Sequence, residues 1–173
     1  ELDIVKAMQL LPGVQSGSEG QVGLYVRGGG PDENLILLDE VPLYNMSHML
    51  GLFSVFNADI VKNVTLYKGN FPAKYGGRLS SVLDIRQKDG NMQEYHGSLS
   101  LGLLSAKVNL EGPIWKNHTS FNISARRTYF DWLFPLIYQI GASESMGSGE
   151  YMGYAFWDVN AKITHRFSDY DRL

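Results

Sequence analysis

The stretch that decides the fold reads Phe71-Pro72-Ala73-Lys74-Tyr75-Gly76-Gly77-Arg78-Leu79-Ser80-Ser81. It lies between two short runs, residues 64–69 and 82–85, whose composition is typical of β-strands. Because adjacent glycines allow positive φ angles and a close approach of the backbone, Gly76 and Gly77 favour a sharp elbow here. The sequence therefore predicts a compact unit of strand, glycine-rich elbow and strand.

Length and composition restrict the class of protein. The chain has 173 residues, enough for one domain or slightly more, and its 44% hydrophobic and 19% charged residues are typical of a folded protein. The net charge is −3 with both signs mixed along the chain, which argues against a nucleic-acid groove. The absence of cysteine excludes disulfides and thiolate metal sites. No stretch approaches the roughly 20 apolar residues of a membrane helix.

The first half of the chain, to about Gly90, mixes helix and strand signals. Leu2, Val5 and Leu10 predict a short helix that Asp3 favours at its start and that ends at residues 11–13. The contiguous apolar run at residues 34–39 predicts a strand covered on both faces. Asn57 is expected to cap a helical turn. Further strands are predicted at residues 22–27, 62–68 and 80–87.

The second half alternates between polar and apolar residues. The alternation in residues 97–112 slips by one position near residues 103–105, which predicts a bulge or a tight hairpin. Gly112-Pro113 predicts a turn. Alternation continues in residues 120–126 and returns in residues 155–164.

Two interpretations of this alternation remain open from periodicity alone. One is an ordinary antiparallel sheet with one face in water, which is the commoner structure. The other is a set of transmembrane β-strands, in which aromatic residues mark the membrane interfaces. The aromatic candidates are Trp115, Tyr129, Trp132, Tyr154 and Trp157.

A series of motifs, taken in order, resembles the plug domain of TonB-dependent outer-membrane receptors, in particular the SusC-like branch of the Bacteroidetes. The elbow at residues 71–81 is the most specific of them. The others lie at residues 3–14, 25–29, 35–42, 53–59 and 67–69, and residues 110–114 resemble an early periplasmic turn of the barrel. Two positions depart from the family pattern. Glu40 stands where a glycine commonly follows the aspartate, and Thr65 stands where many relatives carry a glutamate.

The resemblance implies an α+β plug domain at residues 1–90, followed by the first antiparallel strands of a transmembrane β-barrel at residues 91–173. The barrel would be incomplete, since plugged transporters of this type have about 22 strands. The resemblance further implies a transporter, not an enzyme, in the outer membrane of a Gram-negative bacterium. It would import an extracellular glycan, peptide or siderophore and would need no cofactor. The implied partners are a TonB-type energy transducer, a surface-exposed SusD-like lipoprotein and the lipid bilayer.

The resemblance also implies roles for individual residues. Ligand contacts are expected in two plug loops that face the outside, at Tyr44, Asn45, Met46, His48, Met49, Ser18 and Glu19. Arg27, in the arginine-glycine motif, is expected to lock the plug to the barrel. Arg78 is expected either to do the same or to brace the glycine elbow through a backbone carbonyl.

Other site chemistry is disfavoured by the residues themselves. Gly28-Gly29-Gly30 is followed by acidic residues, where a phosphate-binding loop needs lysine and a hydroxyl. The acidic residues of residues 32–40 lack the spacing of a calcium loop and are interpreted as solvated turn charges. The histidines lack the spacing of a zinc helix, so no metal site is predicted. Two alternatives remain, a plug–barrel module that transports nothing and a soluble carbohydrate-binding or hydrolytic β-domain.

Overall fold

The structure is a computed structural model, and it describes residues 3–17, 23–48, 53–129, 131, 154–168 and 171. Within these ranges the chain forms helix α1 (Ile4–Met8), two 3-10 turns (Pro31–Glu33 and Ala58–Ile60) and twelve β-strands in four sheets. The strands are β1 (Val14–Gln15), β2 (Tyr25–Val26), β3 (Asn34–Leu38), β4 (Val41–Pro42), β5 (Ser47–His48), β6 (Phe53–Ser54), β7 (Val61–Tyr67), β8 (Ser81–Gln87), β9 (His96–Leu101), β10 (Ser105–Trp115), β11 (Thr119–Tyr129) and β12 (Ala155–His165).

Asp3 begins helix α1, as the sequence predicted. Its Oδ1 accepts hydrogen bonds from the backbone N–H groups of Val5 (2.9 Å) and Lys6 (3.4 Å). These amides have no partner inside the first helical turn, so the cap stabilises the start of the helix. The turn capped by Asn57 is also confirmed, as a 3-10 turn. The strand predicted at residues 22–27 is shorter than expected, because within the described residues only β2 pairs, with β1.

The larger sheet of the first half has the strand order β4-β3-β8-β7, with β3 and β8 parallel and the outer pairs antiparallel. Neighbouring side chains of β3 enter different hydrophobic clusters. Ile36 joins Ile85 in the main core, whereas Leu37 joins Tyr75 and Val82 in a second cluster. The prediction of a strand covered on both faces is therefore confirmed.

The predicted unit of strand, elbow and strand is present between β7 and β8. Gly77 has a φ of +79°, a conformation that glycine adopts without strain. Tyr75 folds back onto the sheet, where its ring is buried and its hydroxyl donates to Asp84 Oδ2 at 3.1 Å. Tyr75 therefore holds the elbow against β8.

The second half forms an antiparallel meander with the strand order β12-β11-β10-β9. A tight hairpin joins β9 to β10, with Leu101 opposite Ala106 and the Gly102 N–H donating to the Ser105 carbonyl at 2.8 Å. This hairpin explains the slip in the alternation. Strands β10, β11 and β12 each have 11 residues, which matches the length of about 9–11 residues that a tilted strand needs to cross a bilayer.

The turn predicted at Gly112-Pro113 is wrong, and so is the expectation of a periplasmic turn at residues 110–114. Strand β10 continues through both residues to Trp115, and the turn lies at residues 116–118, where Asn117 has a φ of +64°. Pro113 is tolerated because the pairing of β10 with β9 stops at Glu111. A proline in that position leaves no β9 partner without a hydrogen bond.

The exposure of the two faces of this meander is the reverse of that in a water-soluble sheet. Along β11 the polar face is buried against the first half of the chain, and its members are at most 4% exposed: Ser120, Asn122, Ser124, Arg126 and Thr128. On β10 and β12 this face is buried or half-buried, whereas on β9 both faces are exposed. The opposite face is apolar and exposed, with Leu99, Leu101, Val108, Leu110, Ile123, Val159 and Ile163. The interpretation as an ordinary sheet with one wet face does not fit this arrangement, because the polar face is the covered one.

Candidate functional site

A cavity of about 580 Å³ opens between the loops of the first half. Its polar lining comes from separate segments of the chain, with Tyr25, Asp32, Asn34, Tyr44, Asn45 and Arg78. Its apolar lining includes Ile36, Leu43 and Met46. We call this space the loop cavity.

Two asparagines shape the loop cavity. Asn34 is buried, donates from Nδ2 to the Leu24 carbonyl at 2.6 Å and accepts the Ser81 hydroxyl at 2.7 Å. Asn34 thereby ties three segments of the first half together. Asn45 Oδ1 accepts the Ser47 N–H at 3.1 Å, a local turn that sets the course of the loop after β4.

The lining of the loop cavity suits binding more than chemistry. Two phenol rings can stack on a polar ligand, the exposed Asn45 carboxamide can hydrogen-bond to it, and Asp32 and Arg78 carry opposite charges. The described lining residues contain no cysteine nucleophile and no histidine or lysine that could act as a base for a hydroxyl nucleophile. No group of three or more potential metal ligands lies together in the described part of the chain.

The predicted ligand residues are distributed as follows. Tyr44, Asn45 and Met46 line the loop cavity, Tyr44 as an exposed side chain and Met46 as part of the main core. His48 does not line the cavity, because its ring stacks on Phe156 of β12 with ring centroids 4.2 Å apart. Ser18, Glu19 and Met49 lie outside the described residues, and a ligand role for the whole set stays a prediction.

We call the antiparallel meander of strands β9 to β12 the wall. The second functional region is the interface between the first half of the chain and the polar face of the wall. At one end of this interface, Arg126 of β11 donates to Asp158 of β12 from Nε at 2.9 Å and from Nη2 at 2.6 Å. The same Nη2 donates to the backbone carbonyl of Ser54. His48 Nε2 lies 2.5 Å from Asp158 Oδ1 on the other side of that carboxylate.

Ion pairs and hydrogen bonds continue along the wall. Lys107 of β10 pairs with Asp59 at 3.3 Å, and the Asn57 amide donates to the Ser124 hydroxyl. Farther along, Lys162 of β12 lies 3.2 Å from Asp39 and 3.0 Å from Asp89. In these three ion pairs the first half supplies carboxylates and the wall supplies lysines.

Among the described residues, no contact of Arg27 or Arg78 with the wall is found. Arg27 has a φ of +49° and its side chain extends from Gly13 to Gly69. Arg78 Nη1 donates to the Gly77 carbonyl at 2.9 Å, which is the brace of the elbow that the sequence left as an alternative. The locking role of both residues stays a prediction.

The acidic turn residues have partners. Glu33 accepts the Gly30 N–H at 3.0 Å, and Asp39 accepts the Gln87 N–H at 3.0 Å. Glu40 pairs with Arg86 at 2.8 Å, and hydrogen bonding to that guanidinium lowers the pKa of Glu40. The contacts of Glu33 and Glu40 fix turns. Asp39 also pairs with Lys162 of the wall, so the interpretation as a solvated turn charge is wrong for Asp39.

The sequence reasoning missed the charged residues of the wall, chiefly Arg126, Asp158 and Lys162. A signal for them exists in the alternation. Arg126 and Asp158 both fall in the polar set of their strands, and the antiparallel register places them directly opposite each other. Opposite charges facing each other across a strand pair are a favourable pairing that register analysis can detect.

We compared the chain with protein families, curated sequences and solved structures. The family described as TonB-dependent Receptor Plug Domain matches residues 1–81. No curated protein sequence matches the chain. In the described residues no helix is long and apolar enough to cross a membrane.

Three solved structures share the fold. The siderophore receptor PirA from Pseudomonas aeruginosa has a TM-score of 0.64 at 18% identity, over 96% of this chain and 28% of the receptor. The siderophore receptor PirA from Acinetobacter baumannii has a TM-score of 0.61 at 22% identity, over 96% and 27%. The ferric enterobactin receptor PfeA in complex with BCV-L6 has a TM-score of 0.57 at 20% identity, over 96% and 29%. The chain thus spans less than a third of these receptors, and the identities are those of a shared fold.

Proposed function

We propose that this chain is the plug and the first wall strands of a TonB-dependent transporter, because residues 1–81 match the plug-domain family of TonB-dependent receptors. Such receptors are outer-membrane transporters of Gram-negative bacteria and not enzymes. In this proposal residues 1–90 are the plug and residues 91–173 begin the barrel. The protein binds an extracellular ligand and imports it past the displaced plug.

One observation carries the proposal, the reversed exposure of the meander. On β10, β11 and β12 its polar face is covered by the plug, and its apolar face is exposed at residues such as Leu110 (52%) and Val159 (67%). An apolar surface of this size in water would be unfavourable, whereas in lipid it is the expected surface. Aromatic residues lie near both ends of the strands, with Trp115 at one end and Tyr129, Tyr154 and Trp157 at the other. This distribution fits the two interfaces of a bilayer.

The loop cavity is the proposed ligand site. Support comes from its phenol and carboxamide lining, with Tyr44 and Asn45 as the exposed contacts. Ser18, Glu19 and Met49 belong to the same proposal because they neighbour the lining residues in sequence. The motif resemblance supports a SusC-like receptor with a SusD-like lipoprotein partner, whereas the solved structures are titled siderophore receptors. Glycan, peptide and siderophore are therefore the ligand classes to test.

The interface supports a plug that can move. Contacts that cross the interface include the three lysine–aspartate pairs, the His48–Asp158 contact and the hydrogen bond from Arg126 to the Ser54 carbonyl, all between polar or charged groups. Water can replace such partners when the plug shifts, so opening this interface costs less free energy than opening an apolar one of equal area. A TonB-type partner that pulls on the plug would act against this interface.

The test is uptake by cells that produce the full-length receptor. Labelled ferric siderophores, oligosaccharides and peptides are offered to cells with the receptor, without it, and with it in a strain that lacks TonB. We expect one class to be taken up only when both proteins are present. Uptake that is unaffected by deletion of the receptor contradicts the proposal. Binding without TonB-dependent uptake identifies the non-transporting module instead.

Variants locate the ligand site in the same assay. Tyr44→Ala and Asn45→Ala should each reduce uptake at limiting ligand by about tenfold, the value of one good aromatic or hydrogen-bonding contact. Asn63→Ala, which removes an exposed carboxamide outside the loop cavity, is the control and should leave uptake unchanged. Equal effects at Asn45 and Asn63 would remove the loop cavity from the ligand site.

A further inference from the structure

One carboxylate in the plug performs two tasks. Asp3 Oδ1 caps helix α1 through the N–H groups of Val5 and Lys6. Asp3 Oδ2 accepts the backbone N–H of Ser54 in strand β6 at 3.1 Å. The start of the helix and strand β6 are therefore held by the same side chain.

The other backbone group of Ser54 is held by the wall. Its carbonyl accepts a hydrogen bond from Arg126, whose side chain is only 3% exposed. Asp158 fixes the guanidinium from the neighbouring strand through the two hydrogen bonds at 2.9 and 2.6 Å. The planar fork of arginine gives this contact a defined direction. The backbone N–H of Ser54 therefore binds Asp3, at the start of the helix, and its carbonyl binds Arg126 of the wall.

The same pair of wall residues, Arg126 and Asp158, also contacts the segment at residues 43–48 that lines the loop cavity, which we call the cavity loop. His48 contacts the second oxygen of Asp158, and the preceding residue, Ser47, lines the cavity and pairs with Ser54 across β5 and β6. Asp158 therefore receives the wall arginine on one oxygen and the cavity loop on the other. Helix α1, through Asp3 and Ser54, and the loop before β6, through His48, are therefore both linked to the same pair of wall residues.

We propose that Arg126 is a positioning residue that couples the cavity loop to helix α1. A movement of the loop displaces His48 on Asp158, shifts the guanidinium relative to the Ser54 carbonyl and changes the hold of Asp3 on the helix start. By linkage the coupling acts equally in the opposite direction, so opening the helix also loosens the cavity loop. This coupling goes beyond the proposed function, since it is a property of the plug and wall before any ligand binds.

Hydrogen exchange of the full-length receptor in lipid nanodiscs tests the coupling without a ligand. Arg126→Gln should accelerate exchange of the α1 amides, residues 4–9, by roughly tenfold, because a charge-assisted hydrogen bond in the chain of contacts is lost. The matched control is Arg127→Gln. Arg127 is the next residue of β11, carries the same charge and lies 5.0 Å from the Trp157 ring on the exposed face. We expect exchange in α1 to be unchanged in this control.

A second variant changes a plug residue and leaves the wall unaltered. Asp3→Asn can still cap α1 with its amide oxygen, but it presents an N–H₂ group where Ser54 needs an acceptor. It should accelerate exchange in residues 47–54 by a similar factor. In the double variant with Arg126→Gln, exchange in residues 47–54 should be no faster than in the faster single variant, because both changes break one linkage.

The outcomes separate the coupling from transport. Acceleration in α1 by Arg126→Gln alone, together with non-additivity in the double variant, supports the coupling. Equal effects of the two arginine variants, an unchanged α1, or multiplied effects in the double variant overturn it. If Arg126→Gln does not assemble in the membrane, unchanged exchange in residues 47–54 of Asp3→Asn overturns it alone. None of these results depends on uptake, so failure of the coupling is distinct from failure of the proposed function.

Discussion

Asp89 forms ion pairs with lysines from two different strands. Its carboxylate lies 2.9 Å from Lys62 of β7 and 3.0 Å from Lys162 of β12. Burial raises the pKa of Asp89, but the hydrogen bonds and charges of Lys62 and Lys162 outweigh burial and hold the pKa below its ordinary value of 3.8. A carboxyl group whose pKa is lower in the folded state stabilises that state only while it is ionised.

The stability of the plug should therefore depend on pH in an acidic window. The contribution of Asp89 is fully present above pH 3.8 and is lost as the pH falls through its lowered pKa. We expect Asp89→Asn to lower the denaturant midpoint of plug unfolding at pH 7 and to have progressively less effect towards pH 3. A fluorophore on Leu10→Cys, an exposed plug position in a cysteine-free sequence, reports the midpoint in the full-length receptor. A difference between variant and parent that is constant across this range would contradict the assignment.

Single residues also mark how far the sequence could predict the site. The family resemblance placed Tyr44, Asn45 and Met46 in a ligand loop, and the structure puts them on the loop cavity. Thr65, which departs from the family pattern, lies directly opposite Asp84, and Asp84 contacts Arg86 at 3.2 Å. This cross-strand pairing could not be predicted without the register.

Among the connecting segments, the one that leads from the plug to the wall depends on a glycine. Gly90 has a φ of +81°, and a Cβ atom at this position would overlap the backbone carbonyl of Phe121 in β11. Gly77 in the elbow has nearly the same φ, +79°, but no atom of the described residues lies within 4 Å of the place of its Cβ. Substituting each glycine by alanine therefore distinguishes the cost of backbone strain, present at both positions, from the cost of a steric clash, present only at Gly90.

We expect Gly77→Ala to destabilise the plug by about 1 kcal/mol, the typical cost of a side chain at positive φ. Gly90→Ala carries the same strain and must also push the plug away from the wall, which adds about 1–3 kcal/mol. The denaturant midpoint of the fluorophore-labelled receptor measures both. Equal losses would mean that Gly90 does not approach the wall as closely as the structure has it.

At the level of strands, local signals sufficed where one residue type controlled the geometry. The contiguous apolar run gave β3, the phase slip gave the hairpin between β9 and β10, and the cap residues gave the start of α1. The signal failed at Gly112-Pro113, since Pro113 sits where β10 has already lost its β9 neighbour. Whether a proline ends a strand depends on that neighbour, and the neighbour is not encoded locally.

Across the whole molecule, the decisive property is which face of the meander is covered. Periodicity alone could not decide it, because the alternation of β12 is the same whether the polar residues face water or a plug. The plug that covers them comes from residues far away in the sequence, as the contacts of Lys162 with Asp39 and Asp89 show. The family resemblance, and not the pattern, predicted the arrangement.

Two outward positions of β12 distinguish lipid from water. Val159 and Ile163 are 67% and 66% exposed, but Val159 is central in the strand whereas Ile163 is close to its end. In a bilayer Val159→Arg should cost about 2–4 kcal/mol and Ile163→Arg about 0–1 kcal/mol. The free energy of folding of the full-length receptor into lipid vesicles measures this difference. Similar small effects at both positions would place the apolar face in water.

The most direct examination of the plug–wall arrangement is a spin-label scan of β12 in the full-length receptor reconstituted in lipid bilayers. Each residue from 155 to 164 is replaced in turn by a labelled cysteine, and collision rates with oxygen and with a polar nickel complex are recorded. We expect residues 155, 157, 159, 161 and 163 to collide strongly with oxygen and weakly with nickel. Residues 156, 158, 160, 162 and 164, which the plug covers, should be shielded from both reagents. Strong nickel collisions at the odd-numbered positions would show that this face lies in water and would contradict a plug seated inside a membrane wall.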